Sequence, residues 1–235
     1  MIQVLSEMFS YPFIVRAMAG GLMLSLCAAL LGVSLVLKRY SMIGDGLSHV
    51  SFGALSVAVA FGWAPLAVSI PVVVAAAVLL LRITGNGKIK SDAAIAMISA
   101  GSLAVGIIVT SLTTGMTTDV SSYMFGSILA MSRTDVIFSV ALSAVVLGMF
   151  LFCYNKVFAV TFDENFARAT GVNVPAYNMV IAVLTAVTIV LGMRMMGAML
   201  ISSLIIFPAL TSMRIFKSFL GVIISSGVVA VACFF

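Results

Sequence analysis

Residues 71–81 read PVVVAAAVLLL, a stretch without a single charged or hydrogen-bonding side chain. It lies within an apolar run over about 63–83, and a helix of roughly 20 such residues spans the hydrocarbon core of a bilayer. The stretch does not alternate between apolar and polar positions, as the strands of a membrane barrel do. Because lipid offers no hydrogen-bonding partner to backbone groups, this run is predicted to be a transmembrane helix.

The same pattern recurs along the whole chain. Of its 235 residues, 63% are hydrophobic and only 8% are charged, whereas an ordinary soluble domain is about 25% charged. We therefore predict an all-α, polytopic transmembrane helical bundle, with residues 1–235 forming a single domain in a cell membrane. Its eight candidate spans are approximately 13–37, 46–62, 63–83, 93–113, 135–154, 174–193, 195–213 and 216–235.

The basic residues indicate orientation rather than a nucleic-acid partner. The net charge is +5, but lysines and arginines occur singly or in pairs at the ends of the apolar runs and form no basic stripe. With the amino terminus outside, nine of the 12 fall in cytoplasmic connections, where membrane proteins concentrate them. We predict a multi-pass protein of the inner or plasma membrane with no nucleic-acid partner and, for an even number of spans, with both termini outside.

One polar stripe interrupts the apolar pattern at the start of the second span. Asp45 and His49, the only histidine, are four residues apart, a spacing that stacks both side chains on one helix face. Ser41, Ser48 and Ser56 fall within about the same 100° arc and are candidates to line a pathway. A carboxylate and an imidazole can coordinate zinc, manganese or ferrous iron, whereas copper(I) prefers sulfur.

Two simpler interpretations of this pair remain open. Asp45 could cap the second helix, and His49 could bond to a neighbouring carbonyl. Two ligands also make a poor metal site, since zinc usually takes four. Pairing two subunits across a two-fold axis would supply two aspartates and two histidines, so a dimer is part of the metal hypothesis.

The connection over about 156–175 predicts a short amphipathic helix at the cytoplasmic surface. Thr161 and Glu164 have capping-box spacing, and Gly171 stands where a glycine ends a helix. Glu164 and Arg168 are one turn apart. The predicted apolar face comprises Phe162, Phe166 and Ala169.

Catalytic motifs are missing from the sequence. It contains no phosphate-binding GxxxxGK[ST], no GxSxG and no HExxH. We predict no catalytic residue, no ATP hydrolysis by this chain alone and no permanently bound cofactor.

With these residues identified, the sequence resembles the zinc/manganese/iron-uptake permeases of ABC transporters. Residues 37–49, LKRYSMIGDGLSH, are similar to that family's LRR-S-x-GDALSH signature, with Gly46 in place of its usual alanine. Residues 162–172, FDENFARATGV, are similar to its D-x-x-x-A-R-x-x-G-v loop. The segment from Met196-Gly197 to Pro208-Ala209 is similar to its late G-x-x-L…P-A helix.

The resemblance implies the permease domain of an importer for zinc or manganese, with iron a third candidate cargo. It implies a second permease subunit, cytoplasmic ATPase subunits and an extracytoplasmic metal-binding protein as partners. It places Asp45 and His49 on the metal pathway. It also implies an ATPase-coupling role for a set of loop residues: Asp163, Glu164, Phe166, Ala167, Arg168 and Gly171.

Two rival functions have less support. An ATP-independent secondary transporter or channel would often show paired broken helices in two matching halves, which we do not find. An intramembrane enzyme using Asp45, His49 and a serine would need a recognisable nucleophile setting, which is also missing.

Overall fold

A computed structural model describes residues 11–40, 42–85, 91–113, 126 and 133–234. Within these ranges the chain is helical and contains no strand, so the predicted all-α fold is confirmed. The nine helices of the described ranges are α1 (Pro12–Leu37), α2 (Ile43–Ala60), α3 (Pro65–Gly85), α4 (Ser91–Leu112), α5 (Arg133–Phe162), α6 (Glu164–Ala169), α7 (Val174–Met196), α8 (Ala198–Ile215) and α9 (Phe219–Phe234).

The bundle is organised around two central helices. α1 packs against α5, α7, α8 and α9, and α7 packs against α1, α2, α3, α5 and α8. In its most apolar stretch 78% of α7 is buried, compared with 17% of α4. A helix that is apolar on all sides is stable in the interior of a bundle, whereas peripheral helices present their apolar surface to lipid.

The predicted spans are largely reproduced, with two informative differences in their bounds. Seven of the described helices are long and apolar enough to cross a membrane, and α9 is a shorter apolar helix of 16 residues. α5 ends at Phe162 rather than near 154, because Asn155 and Lys156 are compatible with a helix although they are polar. α2 begins at Ile43 rather than near 46, so Asp45 belongs to its first turn.

α1 ends in a tight turn. The Tyr40 N–H donates to the Leu35 carbonyl at 2.9 Å and the Arg39 N–H donates to the Val36 carbonyl at 3.0 Å, which is the Schellman pattern of a helix end. The residue at the left-handed position of this pattern is usually glycine. Here it is Arg39, with φ 62°.

Glycines allow the central helices to approach one another closely. A Cβ atom added to Gly32 of α1 would overlap the backbone carbonyl oxygen of Ile205 in α8. Small residues are common at such contacts between membrane helices. The α1–α8 contact therefore depends on the missing side chain at position 32.

We expect Gly32→Ala to destabilise the protein by about 1–3 kcal/mol, the usual cost of overpacking a close contact. The clashing atom is backbone, which cannot rotate away. Gly148→Ala is the matched control, because a Cβ atom at Gly148 of α5 meets nothing within 4 Å. The melting temperature of the purified protein in detergent measures the effect, and equal melting temperatures for the two variants would contradict it.

Candidate functional site

Asp45 and His49 lie side by side on α2. The Nε2 atom of His49 is 3.6 Å from Oδ1 of Asp45, and the side chains are 19% and 49% exposed, respectively. The residue that caps α2 is Met42, so Asp45 does not cap the helix. Within the described ranges His49 makes no hydrogen bond to a carbonyl. Both simpler interpretations of the pair are therefore wrong for the residues described.

The neighbours of the two glycines that flank Asp45 indicate where its side chain points. Gly44 faces Ser202 and Ile205 of α8, and Gly46 faces Ile95 of α4. Since neighbouring residues on a helix point about 100° apart, Asp45 points between α8 and α4. A Cβ atom at Gly46 would overlap the Ile95 side chain, so glycine at this position brings α4 close beside the pair.

The separation of Asp45 and His49 suits two ligands of one ion. At 3.6 Å the two atoms are too far apart for a good hydrogen bond. Zinc binds nitrogen and oxygen at about 2.0–2.2 Å, so two donors on a tetrahedral zinc are roughly 3.3–3.6 Å apart. Within the described ranges no third His, Cys, Asp or Glu joins them. Any further ligands must come from water, from a second subunit or from outside these ranges.

The three serines of the predicted stripe differ from one another. Ser48 is fully buried and donates to the backbone carbonyl of Asp45 at 2.8 Å. Ser56 is buried and accepts a hydrogen bond from Thr110 of α4 at 3.4 Å. Ser41 lies outside the described residues. In this conformation the hydroxyls of Ser48 and Ser56 are used within the chain.

A second candidate site is the surface helix α6, which begins at a different cap from the one predicted. Oδ1 of Asp163 accepts hydrogen bonds from the backbone N–H groups of Asn165 at 2.9 Å and Phe166 at 3.0 Å. Thr161 is instead buried inside α5. The capping box of Thr161 and Glu164 is therefore wrong, because α5 continues through Thr161 and a new helix begins after Asp163.

The predicted glycine end of α6 is confirmed. Gly171 has φ +82°, its N–H donates to the Arg168 carbonyl at 3.0 Å, and the Val172 N–H donates to the Ala167 carbonyl at 2.9 Å. This is a second Schellman motif. α6 is thus a six-residue helix fixed at both ends.

The apolar face of α6 is turned away from the chain. Only Ala167 is buried in this helix, packed with Val160 and Val174. Phe162 is 58% exposed and Phe166 is 62% exposed. The predicted face is divided between two helices, because Phe162 is the last residue of α5 whereas Phe166 and Ala169 belong to α6. The exposed Phe166 ring of α6 is open to a partner or to the membrane surface.

Sequence reasoning missed the main polar contact of α6. It paired Glu164 with Arg168, whose nearest atoms are 3.9 Å apart. The closer partner of Glu164 is Lys38 of the α1–α2 turn, whose Nζ atom lies 2.9 Å from Oε1 of Glu164. Asn178 of α7 also donates to Oε1 at 3.1 Å. No local spacing could reveal these partners, since Lys38 is more than 120 residues away.

The charge state of Glu164 follows from these contacts. Partial burial raises its pKa, but hydrogen bonds from Lys38 and Asn178 and the positive charges of Lys38 and Arg168 outweigh that effect and hold the pKa below its usual value. Because its pKa is lower in the folded state, ionised Glu164 stabilises that state at pH values above the ordinary pKa of glutamate. That contribution is lost only as the pH falls through the lowered value.

Comparisons with known proteins point to one family. Residues 10–235 match the ABC 3 transport family. The chain is 32% identical over 220 residues to a probable metal transport system membrane protein of Treponema pallidum, covering 93% of this chain and 82% of that protein. It is 27% identical over 204 residues to the high-affinity zinc uptake system membrane protein of Haemophilus influenzae, covering 87% of this chain and 78% of that protein.

The fold is also similar to a solved structure. PsaBC from Streptococcus pneumoniae, in complex with Fab, superposes with a TM-score of 0.85 at 27% identity, covering 99% of this chain and 84% of that chain. Together with the seven candidate spans, these matches identify a multi-pass membrane protein.

We expect Asp163→Ala to loosen α6, since loss of an N-cap acceptor costs about 1 kcal/mol. Hydrogen exchange at the amides of Asn165 and Phe166 should accelerate about fivefold. Asp163→Asn is the control, because it keeps an acceptor oxygen at the same place. Unchanged exchange in the alanine variant would contradict the role of Asp163 as the cap.

Proposed function

The chain belongs to the ABC 3 transport family, and from that premise we propose that it is the membrane-spanning permease subunit of an ABC importer for divalent transition metals. Zinc and manganese are the favoured cargoes and iron is a third. The names of its relatives support metal cargo: one is a metal transport system protein and another a zinc uptake protein.

The observation that carries this proposal is the Asp45–His49 pair, 3.6 Å apart and open to the outside of the chain. Ionisable groups on a transmembrane helix are costly and mark ion pathways by default. Their nitrogen and oxygen donors suit zinc, manganese or ferrous iron and disfavour copper(I). The metal ion is cargo, held in passing by few ligands, and no cofactor is permanently bound.

A second permease subunit completes the site in this proposal. Both side chains are partly exposed, and Asp45 points between α4 and α8. A partner that carries the same pair, related by a two-fold axis, would bring two carboxylates and two imidazoles together. Four such ligands satisfy a tetrahedral zinc, and added water would satisfy an octahedral manganese.

ATP hydrolysis is assigned to separate cytoplasmic subunits that contact α6. The helix is capped at both ends and leaves the ring of Phe166 exposed, and Phe162 at the end of α5 is exposed as well, which suits a docking element that transmits motion. Such an element has no use in an ATP-independent transporter or channel, so α6 favours the importer. An extracytoplasmic protein would deliver the metal to the opposite side of this single permease domain.

We expect Asp45→Ala and His49→Ala each to abolish uptake of radioactive zinc and manganese by proteoliposomes that contain the complete complex. Each change removes half of the ligands that one subunit offers. Asp92→Ala is the control, because Asp92 is an exposed carboxylate in the first turn of the neighbouring α4. Size-exclusion chromatography verifies assembly, and normal uptake of both metals by both variants would refute the proposed pathway.

We expect Phe166→Ala to weaken association with the ATPase subunits by about thirtyfold, the effect of removing an aromatic anchor worth about 2 kcal/mol. The dissociation constant is measured with purified permease and ATPase. Phe152→Ala is the control, since Phe152 is 91% exposed but lies within the long span α5. Equal affinity of the two variants for the ATPase would contradict a contact between α6 and the ATPase subunits.

A further inference from the structure

We propose that Lys38 is a positioning residue that ties the surface helix α6 to the turn leading into the Asp45–His49 helix, so that displacement of α6 moves the core of the bundle. This inference rests on the proposed function, in which α6 meets the ATPase. It adds Lys38 and Asn178, to which the proposed function gives no role, to the transport machinery.

Three elements meet at the Lys38 side chain. Its Nζ atom donates to Oε1 of Glu164 in α6 at 2.9 Å and to Oδ1 of Asn178 in α7. The amide nitrogen of Asn178 donates to the same Glu164 oxygen at 3.1 Å. The contacts form a closed triangle among the end of α1, the start of α6 and the first turns of α7.

Burial makes this triangle difficult to open. The Lys38 side chain is only 10% exposed, and an ammonium group left buried without its partner is strongly destabilising. The alternative partner of Glu164 is weaker, because Arg168 is 62% exposed and 3.9 Å away, and exposed ion pairs contribute little. When α6 is displaced, moving Lys38 along with it therefore costs less free energy than separating Lys38 from Glu164.

The turn after Lys38 is suited to pass that displacement on. Its backbone is fixed by the Schellman bonds of Arg39 and Tyr40, and the Tyr40 hydroxyl lies 3.3 Å from Oγ1 of Thr84 at the end of α3. Asp45 follows Lys38 by only seven residues. A connection of this length is short enough for a shift at α6 to reach the metal pair.

Motion also reaches the centre of the bundle through α1 and α7. These are the two helices around which the others pack, and both hold Glu164 through Lys38 and Asn178. Well-packed interiors transmit strain instead of absorbing it. A bond that only stabilised the fold would affect assembly, whereas a transmitting bond determines how many metal ions cross per ATP hydrolysed.

The test measures the number of metal ions transported per ATP hydrolysed, in proteoliposomes that contain the complete complex. The variants are Lys38→Met, Glu164→Gln and the exchanged pair Lys38→Glu with Glu164→Lys. Lys156→Met is the matched control, because Lys156 is an exposed lysine in the last turns of α5. Metal uptake and ATP hydrolysis are recorded together, and wild type is measured in parallel.

We expect both single variants to lower the number of ions transported per ATP by about tenfold, a typical strength of coupling between distant sites, while ATP hydrolysis continues. The exchanged pair should recover coupling, because the Asn178 amide can donate to one partner and accept from the other after a flip. Should Lys38→Met fail to assemble, Glu164→Gln decides, since it preserves shape on an exposed helix.

An unchanged ratio in Glu164→Gln would overturn the inference, as would an exchanged pair that couples no better than the single variants. Failure of the proposed function looks different, because the wild-type complex would then transport neither zinc nor manganese. If the wild-type complex transports metal normally and Glu164→Gln transports as many ions per ATP as wild type, only the role of Lys38 is refuted.

Discussion

Hydrocarbon offers no hydrogen bonds, and this constraint governs nearly every feature of the molecule. It forces each span to be a helix that satisfies its own backbone, and it favours hydrogen bonds from buried hydroxyls to their own helix, as from Thr185 to Ile181 and from Thr188 to Leu184. Asp45 and His49 differ from these hydroxyls, because they are ionisable groups on a span whose nearest atoms, at 3.6 Å, are too far apart for a good hydrogen bond. Placing these ionisable groups on a membrane-spanning helix costs free energy, which is why they dominate the functional interpretation.

The location of that pair links the fold to its mode of action. Asp45 and His49 are partly exposed side chains of α2, and in the proposed function they supply half of a coordination sphere. An incomplete site can be completed or opened by small movements of one subunit against another. The surface helix α6 is capped at both ends and is joined to the core by partly buried polar contacts.

Local physics made much of this predictable from sequence. The apolar runs identified the spans, the four-residue spacing placed Asp45 beside His49, and Gly171 marked the end of α6. The start of α6 was mispredicted because Thr161 and Asp163 are both good caps, and only the continuation of α5 decides between them. The Lys38–Glu164 contact was beyond reach, since it is created by packing between distant segments.

The turn at Arg39 carries a further consequence. An L-residue in the left-handed region costs about 1 kcal/mol or more, and glycine would form the same turn without strain. Glycine, however, would present no charge to anionic lipid headgroups, whereas the exposed Arg39 guanidinium can do so. The local strain therefore accompanies an exposed positive charge at the end of α1, of the kind that an anionic membrane surface attracts.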